Sequence, residues 1–409
     1  MTGLGLFDPD LYAQGDPWKS GLPLDLFSRL RDDRPCYWQP LVDEPMFIDG
    51  VWVVSRYADI VAIIRDTARF STRRGTSVRR FDPTVAECGG KPTMMSMDGA
   101  RHRNNRAVTN RLFSLRTINS FEERFRAIAT RLIERALGLR RIDFVTDVAR
   151  YMPLEAVSDL LGIPAEEREQ VLAWTNTITV PLDPHFTPSQ RDFQEALEGL
   201  WRYGLDLSRR SADEPGECVM SAIAKGRADG RLSDDEVSGY MLQLAAAGNE
   251  TTRNAIALGL HALLLRPEQM ARLRGLDGTM PGSAIEEILR WSAPTIHTVR
   301  LALEDVELHG ETIRAGEPVA LVLGSGNFDP AKFERPELFD VMRSPNEHIA
   351  FGTAEHTCLG LHVARLEIKV MFEQILRMCP SIGLDGDVEF VRDNLIHGVR
   401  KMPLTVSRQ

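Results

Sequence analysis

From Ser233 to Arg266 the chain reads as a single unbroken helix, and a helix of that length leaves few ways to arrange the rest. The Ser233 hydroxyl and Glu236, three residues on, form a Ser-x-x-Glu capping box at its start, and Arg266-Pro267 stops it. At 1.5 Å per residue it crosses roughly 50 Å, more than the ~30 Å of a small domain, so it has to run through the middle of the molecule. Helical periodicity also marks 58–65, 101–113, 118–137, 154–161, 166–175, 193–209 and 358–378, with Pro181, Pro184 and Pro188 breaking the run once. Strands are few. Met46-Phe47-Ile48 and Val51-Trp52-Val53-Val54 read as a hairpin about an Asp49-Gly50 turn, 306–322 as a second β-rich stretch, and the residues after Val388 as a return to a small sheet. The segment 71–97 is irregular, and a structureless stretch of that length is usually functional. The expected fold class is mainly α with small β-sheets.

Composition limits function. With 49 basic and 58 acidic residues the formal charge is -9, so a broad basic face for nucleic acid is excluded. The first residues, MTGLGLFDPDLYAQGDPW, carry no basic and apolar leader, and no run approaches the ~18 apolar residues of a membrane span. The expectation is a cytoplasmic chain with no membrane anchor. The five cysteines, Cys36, Cys88, Cys218, Cys358 and Cys379, are scattered, which suits neither a disulfide framework nor a paired-cysteine metal knuckle. Gly-x-Ser-x-Gly and His-Glu-x-x-His are absent, Gly324-Ser325-Gly326 lacks the rest of a dinucleotide turn, and no phosphate loop occurs.

One cysteine has a context. Cys358 sits in Phe351-Gly352-Thr353-Ala354-Glu355-His356-Thr357-Cys358-Leu359-Gly360, a loop that feeds the last long helix. Backbone N–H groups at a helix start stabilise a thiolate and are expected to lower its pKa. Small residues at 352, 354 and 360 let the backbone turn towards the sulfur. A lone thiolate excludes a Cys₄ iron–sulfur site, and without Cys-x-x-Cys-His there is no covalent haem attachment; a single axial ligand to haem iron fits.

At these residues the chain resembles the cytochrome P450 family, the haem-thiolate monooxygenases, and the likeness extends over most of its length. Glu287-Ile288-Leu289-Arg290 resembles the family's Glu-x-x-Arg motif, and Arg343 looks like the third member of its structural ion-pair triad; read alone, Glu287 and Arg290 are an ordinary pair one turn apart. Ala247-Gly248-Asn249-Glu250-Thr251-Thr252 resembles the oxygen-activating segment of the central helix. Gly248 is costly inside a helix by about 1 kcal/mol, which asks for a close approach, either of a flat macrocycle or of a neighbouring helix. The resemblance implies one catalytic unit spanning 1–409, with a β-containing part at about 1–97 and a helical haem-binding part at about 98–409. It implies a long central helix over haem b and a cysteine-ligand loop leading into a C-terminal helix.

By the same resemblance Cys358 is the metal ligand, and Ala247, Gly248, Phe351 and Gly360 lie against the haem. Glu250 and Thr251 form the acid–alcohol pair that delivers protons to bound oxygen. Two haem carboxylates need donors, which His102 and Arg106, four apart on one helix face, supply with Arg300 and His356. Three positions depart from the usual pattern: Ala354 stands for the second Gly of Phe-Gly-x-Gly, Glu250 for Asp, and Asn327-Phe328-Asp329 for Asn-Arg-Asp. The implied activity is insertion of one oxygen atom from O2 into a hydrophobic small molecule, by hydroxylation or epoxidation. Expected pocket residues are Met95, Leu244, Ala247, Ile296, His297 and Ile396, with His397 a further polar candidate, and the tail from Ile396 is similar to that of members acting on terpenoids and sterols. Electrons are implied to come from NAD(P)H through a reductase and a ferredoxin or flavodoxin, docking near Arg101, Arg103 and Arg111. Two rivals stay open, a peroxide-driven peroxygenase on the same fold and a haem sensor or carrier without turnover.

Overall fold

The computed structural model describes residues 6–7, 21–41, 49–78, 84, 90–179, 186–214 and 216–408; Met46-Phe47-Ile48, Cys88, Val180, Pro181 and Pro184 lie outside them. Asp234–Leu264 is one helix of 31 residues, about 46 Å long. Its start is the expected reciprocal cap: the Glu236 amide donates to Ser233 Oγ (3.2 Å) and the Ser233 amide to Glu236 Oε2 (2.9 Å). From Thr252 to Leu260 every residue is buried, so this half is wrapped on all sides. Around it pack Gln190–Asp213, Arg168–Thr179, Tyr151–Leu161, Gly282–Ser292 and the C-terminal helix Leu361–Met378. One apolar core of residues from all six helices fills the spaces between them. Val219–Ala228 is a further helix that the periodicity reading passes over. At Gly239 a Cβ would strike the Pro92 carbonyl, so only glycine lets the end of the irregular segment lie directly on the long helix.

The strand reading needs one correction. Gly50–Val54 is a strand, but its neighbours are Cys36–Pro40, antiparallel with Trp38 opposite Trp52, and Pro318–Leu321, parallel. The expected hairpin partner 46–48 lies outside the described residues; among those described, the strand pairs with one earlier and one later segment. Thr298–Ala302 and Phe70–Ser71 complete this five-stranded sheet, which joins early and late parts of the chain. Arg141–Asp143, Pro403–Ser407 and Ser381–Leu384 form a three-stranded sheet, and two short hairpins complete the β-structure of the described residues. Among those residues no helix is long and apolar enough to cross a membrane.

Candidate active site

Beneath the long helix lies a cavity of about 400 Å³, walled by Met94, Met95, Val157, Leu160, Ile178, Leu244 and Ile396 among others. Cys358 borders it. The cysteine amide donates to the Phe351 carbonyl (2.9 Å) and the Thr357 amide to Ala354 (3.2 Å), closing a loop that turns through positive φ at Gly352 (66°) and Ala354 (58°). Leu361–Met378 begins just beyond, capped by Gly360. The surface that Cys358 exposes opens on this cavity. Here the expected thiol chemistry is corrected: burial pushes the thiol up, and the Gly360 amide, Arg106 and Arg365 only partly offset it. Desolvation outweighs the helix terminus because Cys358 precedes the first helical turn, where the dipole acts most strongly.

Four further predicted residues meet at the same cavity. His102, Arg106, Arg300 and His356 all line it. The rings of His102 and His356 lie 4.2 Å apart at 37°. Both ring nitrogens of His102 and Nε2 of His356 are buried without a hydrogen-bond partner. Burial lowers the pKa of all four, that of His356 to about 3 and that of Arg300 to about 10. Arg300 donates only to the Thr298 hydroxyl (3.3 Å) and the Val299 carbonyl (2.8 Å). Buried polar groups left unpaired cost about 1–3 kcal/mol each, and with Arg106 and Arg300 beside two imidazoles the cluster suits an added anion; Glu355 Oε1, also unpaired, lies 3.8 Å from His356 Nε2. One sulfur and a separate set of donors suited to carboxylates, around one apolar cavity, fit the haem expected from the sequence.

The long helix contributes the roof. Thr251 faces the cavity, its Oγ1 donating back to the Ala247 carbonyl (2.7 Å). Glu250 is not in the lining: it is buried, paired with Arg253, and accepts from Asn254 Nδ2 (2.9 Å). Gly248 borders the cavity, yet a Cβ there would meet Val157 Cγ2 at 3.0 Å, so the helix–helix explanation accounts for its small size. Phe351, Gly360, Ala247, Met95, Leu244, His297 and Ile396 also line the cavity.

Two pocket expectations change. Ile296 is fully buried in a separate core with Phe7, Leu26 and Val299, because it sits in extended backbone whose neighbours Thr295 and His297 take the cavity side. His397 turns to a second cavity of about 150 Å³, with Nδ1 against the Ser292 carbonyl and its ring stacked on Phe390. The sequence reading missed Glu367. It is wholly buried on the C-terminal helix, borders the main cavity, has no partner for either oxygen, and is pushed well above the carboxylate range by burial. Its signal was faint, a lone acid between Leu366 and Ile368 on a helix face otherwise in the core.

Behind the cysteine loop the ion pairs close into a network. Arg290 donates through Nε and Nη2 to the two oxygens of Glu287 (2.8 Å each), and Arg343 Nε adds a third bond (3.0 Å). Asn346 Nδ2 and the Asp340 amide complete five donors on one carboxylate. Arg290 in turn donates to the carbonyls of Asn327 and Pro336 (2.9 and 3.0 Å), and the Asn327 side chain accepts from the Ile349 amide (2.8 Å). The network thus fixes the chain that enters the cysteine loop.

Known proteins share this arrangement. A cytochrome P450 family model matches residues 281–381, from the Glu287–Arg290 helix through the cysteine loop. The steroid C26-monooxygenase of Rhodococcus jostii is 34% identical over 98% of this chain and 84% of its own. The methyl-branched lipid omega-hydroxylase of Mycobacterium bovis is 32% identical over 97% of this chain and 93% of its own. A solved Mycobacterium marinum cytochrome P450 in complex with pseudoionone, 32% identical, superimposes with a TM-score of 0.89 over 99% of both chains. Identity at this level along nearly the whole length goes beyond a shared fold: the chain belongs to the cytochrome P450 family, which takes haem and O2, and is a P450 monooxygenase.

Proposed function

We propose that the protein inserts one oxygen atom from O2 into a steroid- or branched-lipid-like molecule, with Cys358 as the residue that would supply the sulfur ligand of haem b. The observation that carries this reading is the convergence of Cys358 and four basic side chains, two of them imidazoles with unpartnered nitrogens, on one apolar cavity under Thr251. Haem bound there supplies the activation of dioxygen. The chain's own part is positional. The loop bonds from Phe351 and Ala354 hold the sulfur, while Arg106 and the Gly360 amide oppose its desolvation as a thiolate. His102, Arg106, Arg300 and His356 hold the haem carboxylates, whose charge would raise the depressed pKa of each.

Thr251 borders the cavity with its hydroxyl proton on the Ala247 carbonyl, so it offers that proton to the cavity side only by turning from this bond. Glu250 reaches that side only by releasing Arg253 and Asn254, so its share in proton delivery requires the buried pair to open. The walls are apolar, which suits the substrates named for the two relatives. Electrons come from NAD(P)H through a reductase and a ferredoxin or flavodoxin, received by the exposed Arg101, Arg103 and Arg111. Four free cysteines among the described residues suit the reducing cytoplasm.

The test is spectroscopic. Reduced holoprotein under carbon monoxide should give a thiolate-type haem spectrum, and Cys358→Ala should lose both that spectrum and oxygen insertion. A spectrum of imidazole coordination in the parent protein, or full activity in the variant, would reject the assignment.

A further inference from the structure

The proposed function leaves open how an apolar molecule is held in one orientation, and one residue of the long helix addresses this. Gln243 borders the main cavity among Leu242, Leu244, Met94 and Met95. Its Oε1 is shut in with no partner, and among the described residues nothing accepts from its Nε2. The two ends of a side-chain amide are assigned from their surroundings and exchange by a half-turn, so the unmet group can act as donor or acceptor. Thr72, Thr179 and Thr251 of this lining have partners: Thr72 Oγ1 donates to the Met97 carbonyl and Asp98, Thr179 Oγ1 to the Thr175 carbonyl, and Thr251 Oγ1 to Ala247. His102, His356 and Glu367 border the cavity with unpaired atoms as well, but each is titratable, whereas Gln243 is a neutral amide. Gln243 is also the one polar side chain that the long helix gives to this lining ahead of Thr251.

Its position sets a distance. Gln243 and Thr251 are eight residues apart on one helix, about 12 Å along its axis. Met94 and Met95 border the cavity too, on the segment that Gly239 brings onto the helix one turn before Gln243. A neutral amide in apolar surroundings favours a neutral partner, because a carboxylate brought there would lose its hydration without a countercharge.

We propose that Gln243 is the specificity-determining anchor of the substrate site. It selects apolar molecules bearing one neutral oxygen function, a hydroxyl or a ketone, and holds that oxygen about two helical turns before Thr251. This rests on the reading above that the cavity holds both haem and substrate. The chemistry is recognition only: Gln243 Nε2 donates to a ketone, or Oε1 accepts from a hydroxyl, and the remote end of the molecule comes under Thr251.

The experiment uses holoenzyme whose reduced carbon monoxide spectrum is of thiolate type, so that a failure of the haem reading shows itself first and separately. Cholest-4-en-3-one, cholesterol and 5α-cholestane are titrated against the change in haem absorbance, comparing wild type with Gln243→Met and Gln243→Leu. Wild type should bind the ketone or the alcohol about five- to ten-fold more tightly than the hydrocarbon, the value of one neutral hydrogen bond of roughly 1 kcal/mol. Both variants should bind the three alike, with the hydrocarbon affinity kept and the melting temperature not lowered, since an unmet amide oxygen is removed. The ketone and alcohol arms tell donation from acceptance. Equal binding of all three by wild type, preference retained in both variants, or no response to any probe from haem-replete protein would overturn the assignment.

Discussion

Two buried glutamates divide the molecule into regions of opposite character. Glu287, behind the cysteine loop, collects five donors and is fully buried with Arg290. Glu367, beside the cavity, is equally buried and has none. Around the first, Asn327 Oδ1 accepts from the Ile349 amide and Arg343 donates to the Glu334 carbonyl, although Asn327 Nδ2 and Asn346 Oδ1 stay unpaired. Around the second, His102, His356 and Gln243 keep atoms unpaired. Burial alone therefore does not distinguish structural from ligand-facing polar groups. For these two carboxylates the presence of partners from within the chain does, because an unmet buried acid is costly to the fold.

Removing the acid of the satisfied region should have the largest effect. Glu287→Ala leaves Arg290 and Arg343 facing each other without their shared anion, and loss of one partner from a buried network costs about 3–5 kcal/mol. Denaturant unfolding of the holoprotein measures it, and haem retention should fall too, since the same network anchors the chain entering the cysteine loop. A loss within 1 kcal/mol would mean that the two regions are not energetically distinct.

The unsatisfied region should respond in the opposite direction. Glu367→Met keeps the volume and removes an unmet carboxyl, so stability should rise by about 1–3 kcal/mol. The sign of the pH dependence follows from the raised pKa. Below about 4.5 the carboxyl is neutral folded and unfolded; above it the unfolded chain ionises while the folded one holds its proton, so wild type loses stability through this group as pH climbs. The gain from methionine should accordingly be larger at pH 8 than at pH 5 in paired melts. An equal gain at both pH values would show that Glu367 ionises normally when folded.

The same division explains what could be read from the sequence. The long helix was legible because its cap and stop are local chemistry, Ser233 with Glu236 and then Pro267. The cysteine loop and the pair Glu287–Arg290 lie at short fixed spacings, and the donors His102 and Arg106 one helical turn apart; Arg343, fifty-three residues beyond Arg290, rests on the family likeness. What failed depends on long-range pairing or on a face. The partner of Gly50–Val54 is chosen by which segment reaches its edge, and Ile296 turns into a separate core while Pro294, Thr295, His297 and Thr298 line the cavity. The thiol of Cys358 follows desolvation, a property of the assembled site, and the close neighbour of Gly248 is Val157, ninety-one residues away in sequence.

The smallest expected effect lies in the loop between the two regions. Ala354 stands at φ 58°, where an L side chain crowds the following carbonyl at a cost of about 1–2 kcal/mol. Its carbonyl accepts from both the Thr357 amide (3.2 Å) and the Thr357 hydroxyl (2.7 Å), so the turn is held in that conformation one residue ahead of Cys358. Ala354→Gly relieves the crowding but frees the unfolded chain, which takes back about 0.4–1 kcal/mol. The net gain should be about 0.5–1 kcal/mol, read as a melting temperature raised by about 0.5–1 °C. The carbon monoxide spectrum should not move, because the bonds that place the sulfur come from the backbone of Phe351 and Ala354. A destabilised variant would show instead that the methyl group packs against something the loop needs, and would move Ala354 from the strained part of the site to its supporting network.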